Sequence, residues 1–366
     1  MSSTRKRSWI DGKGEARQAW LVDYRDAGGV RRAKQFARKK DADAWSTQAA
    51  WQVSQGVHTP DSQSITVAAA AEQWIKRAEA EGRERSTIKQ YKELANLHVI
   101  PLIGAEKLSR LSMPSVEAFR DKLVESRSRA MAGKAVRALS SILTEAQRRG
   151  QVAQNVAKGV KVIRASRDRA NVVIPTRAEL KAMLDKAGAE FRPMLLTAIV
   201  TGMRSSELRG LRWSDINLQA GTITVAQRAD QWGKIGSPKS KAGRRTIPIA
   251  PPVAQELREW KLRCPKGDLE LAFPNGEGSV AHHSNILRRQ YRPAQTAAGI
   301  AKPYGLHALR HAAASAWIKQ GIDLKRLSAW MGHSSVQITL DTYGHLIGDE
   351  QGDSAIVSAS LKGLLA

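Results

Sequence analysis

The stretch from Tyr304 to Leu346, YGLHALRHAAASAWIKQGIDLKRLSAWMGHSSVQITLDTYGHL, leaves this chain little freedom. Ala312, Ala313, Ala316, Trp317 and Ile318 follow His311 as one apolar helix face, which stops at Gly321. Leu324, Leu327 and Trp330 form a second, shorter face that stops at Gly332. Ser334 or Ser335 is placed to cap a third helix carrying Val336, Ile338, Leu340 and Tyr343. The stretch therefore brings together His307, Arg310, His333 and Tyr343, with helical pattern between them. His307 and Arg310 are three apart and project from one side of their helix. A tyrosine is a poor nucleophile at neutral pH unless donors stabilise the charge on the group it attacks. An arginine fork with imidazole donors suits a phosphodiester.

Charge points the same way. The 366 residues hold 59 Lys+Arg against 34 Asp+Glu, a formal charge of +25. Residues 1–60 carry 12 basic and 6 acidic side chains, 61–172 carry 21 and 12, and 173–366 carry 26 and 16. A single basic tail would leave one outlier, whereas this even excess predicts a polyanion facing every section. Cys264 is the only cysteine, so the chain forms no internal disulfide and no cysteine metal cage. MSSTRKRSW offers no apolar signal region, and the apolar run near Met194 to Val200 is too short to span a bilayer. The expectation is a protein without membrane contact, in a bacterial cytoplasm and on the nucleoid when bound.

In chain order, residues 1–60 read as a small β-rich module. Ala19–Tyr24 and Val30–Phe36 are strand-like around an Asp26–Gly29 turn, Trp9-Ile10 is a candidate third strand, and Asp41 to Val53 has helical period. Its basic residues Arg31, Arg32 and Lys34 suit a sheet lying in a DNA groove. Residues 64–160 read as helices. Thr66 precedes one, Ser86 a second broken by Pro101 and Gly104, Ser115 a third, and Ala130 to Arg149 form a fourth. Lys89 and, in the basic linker 161–172, Arg164 are placed for phosphate contacts. From 173 a mixed domain begins. Thr176 and Glu179 form a capping-box pattern, and Phe191 to Gly202 is apolar enough for a buried helix. Thr201-Gly202-Met203-Arg204 then sets an arginine at a helix start, where backbone N–H groups also favour an anion. Gly221–Val225 and Arg245–Ile249 pair as strands around a basic loop holding Lys239, Lys241 and Arg244. A lysine there can protonate a leaving alkoxide. His282-His283 and His307/His311 invite a metal reading, but Ala308 follows His307 where HExxH needs glutamate, and no acid cluster completes a site. His311 reads as a packing residue.

These segments together resemble the tyrosine recombinases, the phage and mobile-element integrase family. His307-Ala308-Leu309-Arg310-His311, Met331-Gly332-His333-Ser334-Ser335 and Tyr343 match its C-terminal signature, with Met331 for leucine. Thr201 to Ile216 matches its T-G-x-R-x-x-E-L-x-x-L-x-W-x-D-I motif. The Thr87–Tyr91 and Pro101–Gly104 stretches resemble its core-binding domain, and Leu271–Pro274 its Leu-Phe-Pro segment. The resemblance implies a multidomain, mainly α fold with small β-sheets. Its parts are a β-rich arm-binding module (1–60), an all-α, SAM-like core-binding domain (64–160), a linker (161–172), and a mixed α+β, mostly helical catalytic domain with a C-terminal tail (173–366). It implies a site-specific recombinase that cuts and rejoins DNA through a 3′-phosphotyrosyl link, to integrate or excise a phage or mobile element. The implied catalytic set is Arg204, Lys239, His307, Arg310, His333 and the nucleophile Tyr343. Glu207 is in support, and Lys241 is an alternative to Lys239. No metal or other cofactor is implied, and the chain has no G-x-x-x-x-G-K-[ST] loop for ATP. The implied partners are double-stranded attachment-site DNA, three further copies in a homotetramer, a host DNA-bending protein and an excision factor. The tail Ser354–Ala366 is patterned to dock on a neighbouring copy or to pack back on its own domain. A type IB topoisomerase-like enzyme and a non-catalytic DNA-binding regulator on the same fold remain as alternatives.

Overall fold

The computed structural model describes residues 3–26, 28–54, 60–163 and 173–346. It divides into two compact units, Met1–Arg169 and Ala170–Ala366. Arg164, most of the 161–172 linker and the tail beyond Leu346 lie outside the described residues.

The first unit opens with a three-stranded antiparallel sheet in the order β1 (Ser3–Ile10), β2 (Ala16–Arg25), β3 (Arg31–Phe36), followed by helix α1 (Lys39–Ser54). The register places Lys34 opposite Val22 and Phe36 opposite Trp20. The even-numbered face therefore meets α1, where Trp45 packs edge-on against Tyr24 with ring centroids 5.0 Å apart. Odd-numbered residues point the other way.

The helical part of this unit comprises α2 (Val67–Ala80), α3 (Arg85–Leu94), α4 (Ile100–Ile103), α5 (Met113–Ser126) and α6 (Arg129–Arg148). Thr66 caps α2 through its side chain. Pro101 does not break the second helix. A π-helical turn over Ala95–Val99 shifts the bonding to i→i−5, so that Ile100 N–H reaches the Ala95 carbonyl. Pro101 then falls in the first turn of α4, where its missing N–H costs nothing. Ser112, rather than Ser115, caps α5, with Ser115 reciprocating as the other half of a capping box. α6 is the hub: Leu139, Ile142 and Leu143 are almost wholly buried, each contributing about 1.5–3 kcal/mol by leaving water.

The second unit continues with α7 (Arg177–Lys186), α8 (Arg192–Thr201) and α9 (Ser205–Arg209). Thr176 and Glu179 close the capping box at α7. A three-stranded antiparallel sheet follows, β4 (Ile216–Asn217), β5 (Thr222–Val225) and β8 (Arg245–Pro248), interrupted by the small hairpin β6 (Arg228–Ala229) and β7 (Ile235–Gly236). Then come α10 (Pro251–Arg263), α11 (His283–Asn285), α12 (Arg292–Ala297), α13 (His307–Lys319), α14 (Leu324–Met331) and α15 (Val336–Tyr343). The core joins α8, α9, α10 and the sheet around Leu195, Leu208, Leu211, Ile223, Ile247 and Leu257. α13 packs on α8, and α14 reaches both α13 and β8. Ser335 occupies the N-cap of α15 without a side-chain bond to its backbone. No described helix is long and apolar enough to cross a membrane.

Candidate active site

The site is built where α8 ends, α9 begins and α14 ends. The last carbonyls of a helix lack intrahelical partners and carry partial negative charge. At the end of α14 three arginines from distant parts of the chain take three successive carbonyls. Arg245 Nε donates to Trp330 O at 2.6 Å, Arg310 Nη2 donates to Met331 O, and Arg204 Nη2 donates to Gly332 O at 3.2 Å. Arg310 Nη1 also donates to Gly202 O at 2.8 Å, tying the end of α8 to the same cluster.

Glu207 neutralises part of this charge. Its carboxylate accepts from Arg204 Nη1 at 2.8 Å, from the Arg204 backbone N–H at 2.8 Å, and from Arg245 Nη1 and Nη2 at 3.1 and 2.8 Å. Burial pushes the Glu207 carboxyl up, but the bonded Arg245 and the Arg204 charge outweigh it and hold the group below its usual range. Burial and the Arg204 charge lower Arg310, though a guanidinium remains protonated at neutral pH.

Two glycines make this approach possible. Gly202 (φ +58°) ends α8, and a Cβ there would press on Ala313 at 3.2 Å. Gly332 (φ +62°) ends α14, and a Cβ there would meet Arg245 Nη1 at 2.9 Å and Ala242 O at 3.0 Å. Both positions need left-handed backbone as well as space.

His307, His333 and Tyr343 complete the set. His333 Nδ1 is 2.8 Å from the hydroxyl of fully buried Thr339. Burial, then the charges of Arg310, Arg204 and Arg245, push its pKa down to about 4. Desolvation, then His311, Arg310 and Arg204, lower His307 to about 4 as well, although the residue as a whole is exposed. Tyr343 is 3% exposed. Burial raises it to about 12 against the pull of Arg310 and Arg204. Its hydroxyl lies 2.9 Å from His311 Nδ1. Beside His307, Ser205 Oγ sits 2.9 Å from His283 Nδ1.

Lys239 and Lys241 are exposed in the loop leading to β8. Its 3₁₀ turn Lys241–Gly243 is anchored against Gly332 through Ala242 and to Arg245 through the Gly243 carbonyl. Arg244 is exposed next to it. Among the described residues no group of three or more His, Cys, Asp or Glu side chains gathers as a metal site.

The basic residues proposed for DNA in the first unit divide by strand face. Arg32 pairs with Asp26 at 3.0 Å, and Lys34 pairs with Asp61 at 3.1 Å while lying 4.9 Å over the Trp45 ring. Both are on the helix side of the sheet and committed to its structure. Arg31 is on the opposite face with Arg5, each exposed and each near Asp23, and Arg7 shares that parity. Lys89 is half exposed beside Glu93. The sequence gives no functional role to Arg245, Thr339 or Arg5, and gives His311 only a packing one. For Arg245 a signal existed: alternation from Ile247 and Ile249 puts it inward, and a buried arginine needs a partner.

Comparison with known proteins supports a tyrosine recombinase. Residues 176–348 match the phage integrase family. An integrase of Streptomyces ambofaciens is 27% identical over 300 residues, covering 76% of each chain. A XerC-like tyrosine recombinase of Caldanaerobacter subterraneus subsp. tengcongensis is 24% identical over 380 residues, covering 94% of this chain and 95% of the relative. Among solved structures, the Tn1549 transposon integrase in complex with a circular intermediate DNA shares the fold with a TM-score of 0.68 at 20% identity, over 82% of this chain and all of that one. A lambda integrase tetramer bound to a Holliday junction shares it with a TM-score of 0.63 at 18% identity, over 93% and 95% of the two chains.

Proposed function

We propose that this protein is a site-specific DNA recombinase that integrates or excises a phage or mobile element, with Tyr343 as its nucleophile. The observation that carries the residue assignment is the position of the Tyr343 hydroxyl, buried within reach of the Arg204 and Arg310 charges. The phenolic oxygen attacks the scissile phosphorus, a 3′-phosphotyrosyl bond forms, and the 5′ oxygen leaves with a proton from Lys239 or Lys241. Arg204 and Arg310 neutralise the non-bridging oxygens with fork-shaped donors. Neutral His307 and His333 each supply one N–H. Glu207 holds Arg204 and Arg245 in place. Bond energy is retained in the phosphotyrosine, so a 5′ hydroxyl from a second strand reverses the step without ATP. With arginines supplying the positive charge, the reaction proceeds without a cofactor.

The same reading gives double-stranded attachment-site DNA as substrate, bound as a tetramer, the state in which lambda integrase is seen on a Holliday junction. A host DNA-bending protein and an excision factor are further partners, and the bacterial cytoplasm is the compartment. Arg5, Arg7 and Arg31 on one sheet face, with Lys89 and Arg244, contribute phosphate contacts.

The test incubates labelled, nicked DNA from beside the gene with wild type and with Tyr343→Phe. Wild type should give an SDS-resistant adduct with a free 5′ hydroxyl. Tyr343→Phe should bind equally well and give none, and an adduct from that variant would refute the assignment. Relaxation of supercoiled DNA without pairing of two sites would favour a topoisomerase, and binding without cleavage by wild type a regulator.

A further inference from the structure

We infer that His311 holds the Tyr343 hydroxyl and takes its proton as the phenolic oxygen attacks phosphorus, an assignment that rests on Tyr343 being the nucleophile. The sequence reading treats His311 as a packing residue. The geometry gives it chemistry. Its Nδ1 lies 2.9 Å from the Tyr343 oxygen, with ring centroids 5.6 Å apart at 59°. Tyr343 is only 3% exposed, so its hydroxyl depends on a protein partner and has little water to receive a proton. Neither of the other imidazoles is bonded to that hydroxyl. His333 has its Nδ1 on Thr339, and His307 lies edge-on to His311, centroids 4.9 Å apart.

The charged and titratable groups facing His311 are His307 and Arg310 on its own helix and Tyr343 on α15. Burial and Arg310 lower its pKa, so it is neutral at pH 7. With Nε2 protonated, Nδ1 has a free lone pair aimed at the phenol. The step balances. The Tyr343 O–H bond breaks and its proton moves to Nδ1, while the electron pair left on oxygen forms the O–P bond. The P–O5′ bond breaks, and the 5′ oxygen takes its proton from the loop lysine. In rejoining, the His311 imidazolium returns its proton to the departing tyrosine. A buried phenol does not ionise beforehand. Its proton becomes acidic only as the O–P bond forms, so acceptor and attack work together.

The test is single-turnover cleavage by the full chain on nicked DNA, with a normal and a 5′-bridging phosphorothiolate at the scissile position. A sulfur leaving group needs no proton, which isolates the attack from the lysine. His311→Phe keeps ring volume without an acceptor. His311→Asn keeps an acceptor near the Nδ1 position without titrating there. Wild type should slow as pH falls and His311 protonates. His311→Phe should lose about 100-fold or more in rate on both substrates, bind DNA as before, and lose that acid limb. His311→Asn should also lose the acid limb and remain slower than wild type. A wild-type rate in His311→Phe, or its rescue by the phosphorothiolate, would overturn the inference. If the phenylalanine ring disturbs folding, seen as lost DNA binding, His311→Asn decides: a wild-type rate and pH profile would overturn it. Failure of wild type to form any adduct is a different result and counts against Tyr343 itself.

Discussion

At Glu207 a single buried carboxylate faces two guanidiniums from different parts of the fold. Exposed pairs such as Arg326–Asp323 contribute little, because water and salt already screen them. The Glu207–Arg245 pair has side chains 3% and 5% exposed, so neither charge has water to fall back on. Glu207→Ala should destabilise the protein by about 3–5 kcal/mol, the usual cost of stranding one partner of a buried pair, as read from urea unfolding. Loss below 1 kcal/mol would mean that Arg245 finds another partner. Residues of distinctive chemistry at distinctive spacing, such as Arg204, His307, Arg310, His333 and Tyr343, are legible in the sequence. Thr339 is not, and Arg245 is so only as an inward-facing strand residue, because their importance lies in what folds against them from 6 and 38 residues away. His311 and Tyr343 are each visible, but their pairing across 32 residues is not.

At the scale of elements, the stop of α14 matters more than its length. Gly332→Ala combines left-handed backbone with a contact of 2.9 Å to Arg245, so about 1–3 kcal/mol of stability should be lost together with most cleavage. Gly321→Ala is the control. It shares a positive φ, +76°, but has nothing within 4 Å, so it should cost stability and leave cleavage in place. Equal loss of cleavage in the two, measured at a temperature where both are folded, would refute the role given to the α14 terminus. Helix ends at glycine and the capping box at Thr176 follow from local chemistry, and so are readable. The helix through Pro101 is not. A π turn five residues long absorbs the proline, and only the packing of Ala95 and Val99 in the core makes that turn worthwhile.

For the molecule as a whole, acid should be the weak side. His307 and His333 accept protons near 6.5 in the unfolded chain and near 4 when folded. Between those values the unfolded state binds more protons, so stability rises with pH through the window and falls as the solution is acidified from about 6.5 towards 4. Melting curves at pH 7.5, 5.5 and 4.5 should show this decline, and replacing both histidines by asparagine should flatten it. An unchanged slope would place the acid sensitivity elsewhere. The even basic excess and the mainly helical class are legible at this scale because composition and periodicity need no tertiary context. The division of strand faces is not, since only the position of α1 tells Lys34 from Arg31. One more consequence follows from the three carbonyls at the end of α14. Their arginine partners lie 85, 21 and 128 residues away in sequence. During synthesis Arg204, Arg245 and Arg310 all leave the ribosome before the turn that gathers them. A nascent chain therefore carries all three arginines before the carbonyls they share exist, with only Glu207 and the Gly202 carbonyl to hold them until α14 has closed.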